Sequence, residues 1–246
     1  MSTFVIADAH GDHQQILGLL RQVGIVDGDK RIDANDHLVI QLGDLCNCVG
    51  SSIDKDLWAL DLVDRGVIDY FLVGNHEHPY FGGPAFNGFH YHPEIAHKLK
   101  TLESERRLRP AALVDGILIT HAGFGTQWDV STEGRGWDLA EAEWRKDPTG
   151  GLFSAIGYAR GGITQFGGIL WADWDEPKRG NLRQLVGHTV GSDVRKRGGA
   201  MCIDLGGGKY NRLAGAWIRD GEIEVVIHES QHGESNAVPK GHGPGI

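Results

Sequence analysis

Apolar residues arrive along this chain in short unbroken runs, and each run stops at a polar cluster. Residues 3–7 stop at Asp8, residues 37–42 stop at Gly43-Asp44, and residues 67–73 stop at Gly74-Asn75-His76-Glu77. Runs of this length, bounded by glycine and polar residues, predict strands buried on both faces. Between them the period changes. Ile16, Leu19, Leu20 and Val23 lie at helical spacing before Gly24, and Leu57, Leu60 and Val63 before Gly66. These predict helices over 13–23 and 53–65 with glycine stops, separated by a polar loop over 28–35. Strand, helix, strand, helix, strand in that order predicts parallel pairing through right-handed crossovers.

The second half is less regular. A loop over 82–92, rich in glycine and aromatics (Phe86, Phe89, Tyr91, with Phe81 just before it), leads to a charged helix over 93–107. Two short strands within 111–120 turn at Asp115-Gly116 and end at His121-Ala122-Gly123. A helical remnant over 139–146 and a glycine-rich connector over 150–168 follow, then a short strand over 169–172. Further strands are expected over 185–189, 200–205, 212–219 and 223–228, the last two joined by an Asp220-Gly221 hairpin turn. Residues 1–229 read as one domain, with a polar, flexible tail over 230–246.

Composition narrows the function classes. The formal net charge is −9 and no Lys/Arg run tracks a phosphate backbone, which argues against stable nucleic-acid binding. Three cysteines in 246 residues make no disulfide framework, so a reducing compartment is expected. No apolar run approaches membrane-spanning length and none resembles a leader, so a cytoplasmic protein without a membrane partner is expected.

The chemistry lies where the strands end. Asp8 with His10, Asp44, Asn75, His121 and His188 all follow predicted strands, and the ends of parallel strands are where α/β proteins place their sites. Singly, each has an ordinary explanation: Gly-Asp after a strand is usually a turn, and Gly-His-Thr is usually structural. Together they form an oxygen and imidazole set suited to Mn, Fe or Zn, with Mn favoured. Six ligands exceed the need of one tetrahedral ion. Two ions sharing a bridging carboxylate are the economical arrangement, with Asp44 as bridge, Asp8 and His10 on one ion, and Asn75, His121 and His188 on the other. Two ions about 3.5–4 Å apart would bind phosphate, acidify water and favour in-line displacement.

Asp8-Ala9-His10-Gly11, Gly43-Asp44, Gly74-Asn75-His76-Glu77, His121-Ala122-Gly123 and Gly187-His188-Thr189 resemble the ordered signature of the calcineurin-like metallophosphoesterases. They are closest to the phosphoprotein-phosphatase branch, which includes symmetrical diadenosine tetraphosphate hydrolases. His121 to Asp129 (His-Ala-Gly-Phe-Gly-Thr-Gln-Trp-Asp) and Ile169 to Trp174 are further echoes. The resemblance spans residues 3 to about 219. It implies a four-layer α/β/β/α sandwich with a two-metal site, the ligands named above, and His76 as the group that protonates the leaving oxygen.

The resemblance has departures. The branch extends its second motif as Gly-Asp-x-x-Asp-Arg-Gly, and Asp61 to Gly66 imitates part of it, but there the residues close a helix and Leu60 stands in place of glycine. The second motif is Gly43 to Gly50, where Asn47 and Cys48 replace the relatives' Asp and Arg. Asn47 can orient His76 by a hydrogen bond but brings no charge. Arg160 falls about where the branch carries another phosphate-contacting arginine and is expected to hold phosphate, with Arg135 and Arg183 as weaker candidates. Cys46 and Cys48 read as small residues packed under the metal loop, Cys202 as core, and His78, His90 and His92 as surface loop histidines. The expected activity is hydrolysis of phosphomonoesters of the phosphoserine/phosphothreonine type. Dinucleoside polyphosphate hydrolysis is the second reading, phosphodiester hydrolysis the third, and non-catalytic binding of phosphorylated ligands the last.

Overall fold

The buried runs become strands and the periodic segments become helices in the computed structural model, which describes residues 2–32, 36–46 and 52–230. Strand β1 (Ser2–Ile6) leads into helix α1 (His13–Gln22), whose N-cap Asp12 accepts from the backbone N–H of Gln15. A two-residue hairpin, β2 (Val26–Asp27) and β3 (Lys30–Arg31), stands where a polar loop was expected. Strand β4 (His37–Gln41) and helix α2 (Ile53–Asp64) follow, the latter capped by Ser52 and closed by Gly66 at φ 71°. Val67 and Ile68 are buried, but their amides both donate to Leu62 O and close that helix, so β5 is only Tyr70–Leu72.

Helix α3 (Pro93–Ser104) delivers the chain to β6 (Leu108–Arg109). Strands β7 (Ala112–Val114) and β8 (Ile117–Ile119) turn at Asp115-Gly116, both at positive φ. Helix α4 (Glu133–Lys146) begins six residues before the expected remnant. Gly134 and Gly136 weaken helix propensity there, but Thr132 caps it and Gly136 is buried. Helix α5 (Gly151–Ser154) is a single turn.

The strand expected over 169–172 is absent. That apolar run is a buried turn, with the amides of Trp171 and Ala172 donating to Gly168 O, so it is apolar for burial and not for pairing. Strands β9 (Gln184–Val186), β10 (Arg195–Arg197), β11 (Ala200–Cys202), β12 (Arg212–Arg219) and β13 (Glu222–Glu229) complete the described residues.

Besides the β2-β3 hairpin, two larger sheets form among the described residues, in the orders β13-β12-β1-β4-β5-β6 and β10-β11-β9-β8-β7. In the first, β1, β4, β5 and β6 run parallel and β12 joins β1 antiparallel; in the second, β8, β9 and β11 are parallel. Helix α1 covers β12 and β13, α3 packs beside β6, and α4 lies on β7 and β8. The layers are therefore helices, sheet, sheet, helix, as the resemblance implies. Phe4, Ile6, Ile40, Phe71, Ile119 and Leu185 are fully buried within this core. No helix among the described residues is long and apolar enough to cross a membrane.

Candidate metal centre

Five parallel strands deliver the candidate ligands. Asp8, Asp44 and Asn75 follow β1, β4 and β5 of one sheet; His121 and His188 follow β8 and β9 of the other. The site therefore lies where the carboxyl ends of both sheets meet. Three of its residues have left-handed backbone, His10 (φ 48°), Asp44 (φ 52°) and His188 (φ 68°). Each costs of order 1–3 kcal/mol unless its surroundings hold it, and such outliers gather at functional sites.

His121 is the hub. Its Nε2 lies 3.0 Å from Asn75 Oδ1, 3.2 Å from His188 Nδ1 and 3.4 Å from Asp44 Oδ1. Its Nδ1 lies 3.2 Å from Leu42 O, which can only accept, so that nitrogen carries the proton and Nε2 is left to coordinate. Asp44 also joins a second cluster with His10 and His76, whose potential ligand atoms lie within 4.8 Å of one another. Asp44 thus belongs to both groups of potential ligand atoms.

Electrostatics give the cluster a need for positive charge. Burial, then Asp204, pushes the Asp8 carboxyl well above its ordinary range. Burial also opposes charge on His121, yet Asp44 and Asp8 outweigh it and raise the imidazole to about 9. Asp44 is likewise desolvated, but His121 and His76 hold it well below the carboxylate range. A proton on His121 thus does the work that a cation would do among these carboxylates. Burial, then His76, lowers His10 to about 4; burial, then Arg160, lowers His188 well below its usual value. Both histidines are therefore neutral, the form that coordinates metal. Asp8 Oδ1, His10 Nδ1 and His188 Nε2 are buried polar atoms without a hydrogen-bond partner among the described residues. Orphans of this kind are rare unless a ligand satisfies them. The donor set fits divalent cations.

Glu77, which sequence reasoning left without a role, organises the loops. Its buried carboxylate accepts from the amides of Asp44 (2.9 Å), Gly74 (2.9 Å) and Cys46 (3.0 Å), and from Cys46 Sγ (3.3 Å). Asp44 Oδ1 in turn accepts from the His76 amide at 2.9 Å. The loops pack so closely that a Cβ on Gly74 would lie 2.1 Å from Asp44 Oδ1, and one on Gly187 would lie 1.9 Å from Asp8 Oδ1. The available signal for Glu77 was an acid in a motif otherwise made of ligands, with apolar sequence just before it. Asp204 was also missed. It is buried beside Asp8 and raised to about 6 by burial despite the Gly206 amide.

The other expected site residues are placed differently from one another. His76 Nε2 lies 3.7 Å from Asp44 Oδ2, and its ring stacks on Phe86. Arg160 Nε pairs with Asp173 at 2.7 Å and Nη2 donates to Thr189 Oγ1 at 2.6 Å, which holds its charge next to His188. Asn47 and Cys48 lie outside the described residues. Arg183 does not reach the site: it binds Gly221 O at the opposite end of β9. Arg135 is exposed on α4.

His78 is not a surface histidine. It is fully buried, packs against Trp144 and Phe153, and its Nε2 lies 2.7 Å from Pro148 O. Asp61 pairs with Arg65 at the end of α2, and Cys46 and Cys202 are buried. In the His121 echo, Gln127 is exposed and its Nε2 donates to Gly167 O, and Trp128 is partly buried against the core.

Residues 1–192 match the calcineurin-like phosphoesterase family. No curated protein matches the chain in sequence. Among solved structures, the cold-active protein-tyrosine phosphatase of a psychrophilic Shewanella species is similar over 91% of this chain and 80% of its own, at 20% identity and a TM-score of 0.60. A candidate diadenosine tetraphosphatase is similar over 92% and 93%, at 17% identity and a TM-score of 0.54. At these identities the likeness is one of fold.

Proposed function

The chain belongs to the calcineurin-like phosphoesterase family, and from that premise we propose a metal-dependent phosphomonoesterase of the phosphoprotein-phosphatase branch, acting on phosphoserine, phosphothreonine or similar esters. The observation that carries this reading is Asp44, which belongs to both clusters of potential ligand atoms at the meeting of the two sheets. In this proposal Asp8, His10 and Asp44 hold one divalent cation, and Asp44, Asn75, His121 and His188 hold the other. Bound there, two such ions supply positive charge to phosphoryl oxygens and acidify water for attack on phosphorus.

The chain's own groups do the rest. His76, in reach of Asp44 and at the rim of the centre, donates a proton to the departing oxygen. Arg160, pinned by Asp173 and Thr189, presents fixed charge beside His188, where a phosphoryl oxygen is drawn. Asn47 is assigned to orient His76. Leu42 O fixes the tautomer of His121, and Glu77 keeps the Asp44 backbone in its left-handed turn.

Dinucleoside polyphosphate hydrolysis is the second reading, supported by the His121 to Asp129 echo and by the likeness of fold to a candidate diadenosine tetraphosphatase. The test is turnover of a phosphopeptide, diadenosine tetraphosphate and a chromogenic diester by the metal-loaded protein. Preference for the phosphopeptide is expected. Preference for diadenosine tetraphosphate, or for the diester, overturns the substrate class.

A further inference from the structure

The aromatic loop before α3 has no part in the metal centre, yet it ends on His76. The ring of Phe86 lies over the imidazole with centroids 3.9 Å apart and planes 18° from parallel. Phe86 is itself held. Phe89 meets it edge-on at 5.7 Å, Tyr80 meets Phe89 edge-on at 5.2 Å, and the Phe89 amide donates to Phe86 O. Tyr80 is buried, and Phe86 and Phe89 pack against the core, so the stack is built on the protein interior. His10 approaches the same imidazole at 4.9 Å, and Asp44 Oδ1 holds the His76 amide.

A general acid must keep its N–H aimed at the leaving oxygen, and the imidazole χ2 torsion is intrinsically broad. A parallel ring at stacking distance removes that freedom. We propose that Phe86 is a positioning residue, which fixes the plane of His76 for proton transfer to the leaving oxygen. The proposal rests on the reading of His76 as the acid. In that step the His76 N–H bond breaks as an O–H bond forms. As the oxygen of the attacking water bonds to phosphorus, the ester P–O bond breaks with its electron pair going to the leaving oxygen; the products are a neutral alcohol and inorganic phosphate, and the imidazole regains its proton from solvent water. The need for the proton grows with the basicity of the leaving group, so the benefit of Phe86 must grow with it. A packing role alone would affect all esters alike.

The experiment compares an alkyl phosphate with 2,4-dinitrophenyl phosphate, whose phenolate departs unaided, in wild type, Phe86→Ala, Phe86→Tyr and His76→Ala, with metal content measured for each. Phe86→Ala is expected to lose about 10-fold or more in kcat on the alkyl ester and about 2-fold or less on the aryl ester, with metals retained and Phe86→Tyr restoring the rate. Equal losses on both esters overturn the proposal. If His76→Ala itself shows no difference between the esters, it is the acid assignment that fails, and the proposal falls with it. A second readout needs no turnover: the His76 ring proton resonances, assigned by their loss in His76→Ala, should lie upfield in wild type and move downfield in Phe86→Ala. Resonances that do not move overturn the stacked arrangement.

Discussion

Replacing Glu77 by glutamine tests whether one buried carboxylate organises the loops of the metal centre. Its oxygens accept three backbone amides and one thiol at 2.9–3.3 Å, and the side chain is fully buried. Burial, then Asp44, raises its carboxyl, while the amides of Cys46 and Gly74 pull it down. Whichever way the glutamine amide turns, its NH2 faces at least one backbone N–H that it cannot accept. One orphaned buried donor costs about 1–3 kcal/mol, and each remaining bond loses about 1 kcal/mol as its acceptor becomes neutral. Relief of a desolvated charge offsets part of this, leaving a loss of about 2–4 kcal/mol. For a chain of this size that lowers Tm by roughly 5–15 °C. Because the orphaned amides belong to Asp44, Gly74 or Cys46, metal affinity should fall as well. Thermal unfolding and metal titration of Glu77→Gln measure both. A Tm within about 2 °C of wild type together with unchanged metal affinity would refute the reasoning.

Three further outcomes follow from the same geometry. Gly187→Ala places a Cβ 1.9 Å from Asp8 Oδ1, while Asp8 Oδ2 is held by the His188 amide, so metal affinity should weaken by about 10-fold or more on titration. Arg160→Ala should reduce kcat/KM by about 100-fold with metal content unchanged, and near-normal kinetics would remove Arg160 from the site. Lys178 is lowered to about 8 by burial, opposed by Glu176, and its Nζ donates to Asp173 O. Between about pH 8 and its ordinary 10.5 the unfolded chain holds a proton that the folded one lacks, so unfolding takes up a proton and stability rises with pH. Over that window wild type should gain about 3 kcal/mol relative to Lys178→Met in denaturant unfolding, and parallel pH dependences would refute it.

What could be read in advance was whatever had a local signature. The parallel strands ending at Asp8, Asp44 and Asn75 are unbroken apolar runs with polar stops, and their positions held to within a few residues. Helix α4 was truncated in the reading because Gly134 and Gly136 speak locally against a helix, and only the packing of Gly136 against Leu118 shows why no Cβ is wanted there. The run over 169–172 read as a strand because burial and pairing leave the same apolar signal. Its place as a buried turn is fixed by distant segments, with the Ile169 amide donating to Leu152 O and Ile169 O accepting from the Ala122 amide.

The candidate ligands were legible because a motif at a strand end is local chemistry. The roles of Glu77, His78 and Phe86 were not. Each is defined by a partner on another segment: the Asp44 loop for Glu77, Pro148 for His78, and His76, approached by the aromatic loop, for Phe86. Arg160 was placed by resemblance, and its tether to Asp173 and Thr189 is a long-range contact that no spacing rule predicts.

The central claim is that Asp8, His10 and Asp44 hold one catalytic cation and that Asp44, Asn75, His121 and His188 hold a second. Metal analysis of the purified protein, with monoester turnover followed before and after chelation, tests it most directly. The account predicts two divalent ions per chain, turnover lost on chelation and restored by metal, and a fall in both stoichiometry and turnover in Asp44→Asn. Monoester hydrolysis that persists in the fully chelated protein, or wild-type stoichiometry and rate in Asp44→Asn, would contradict it.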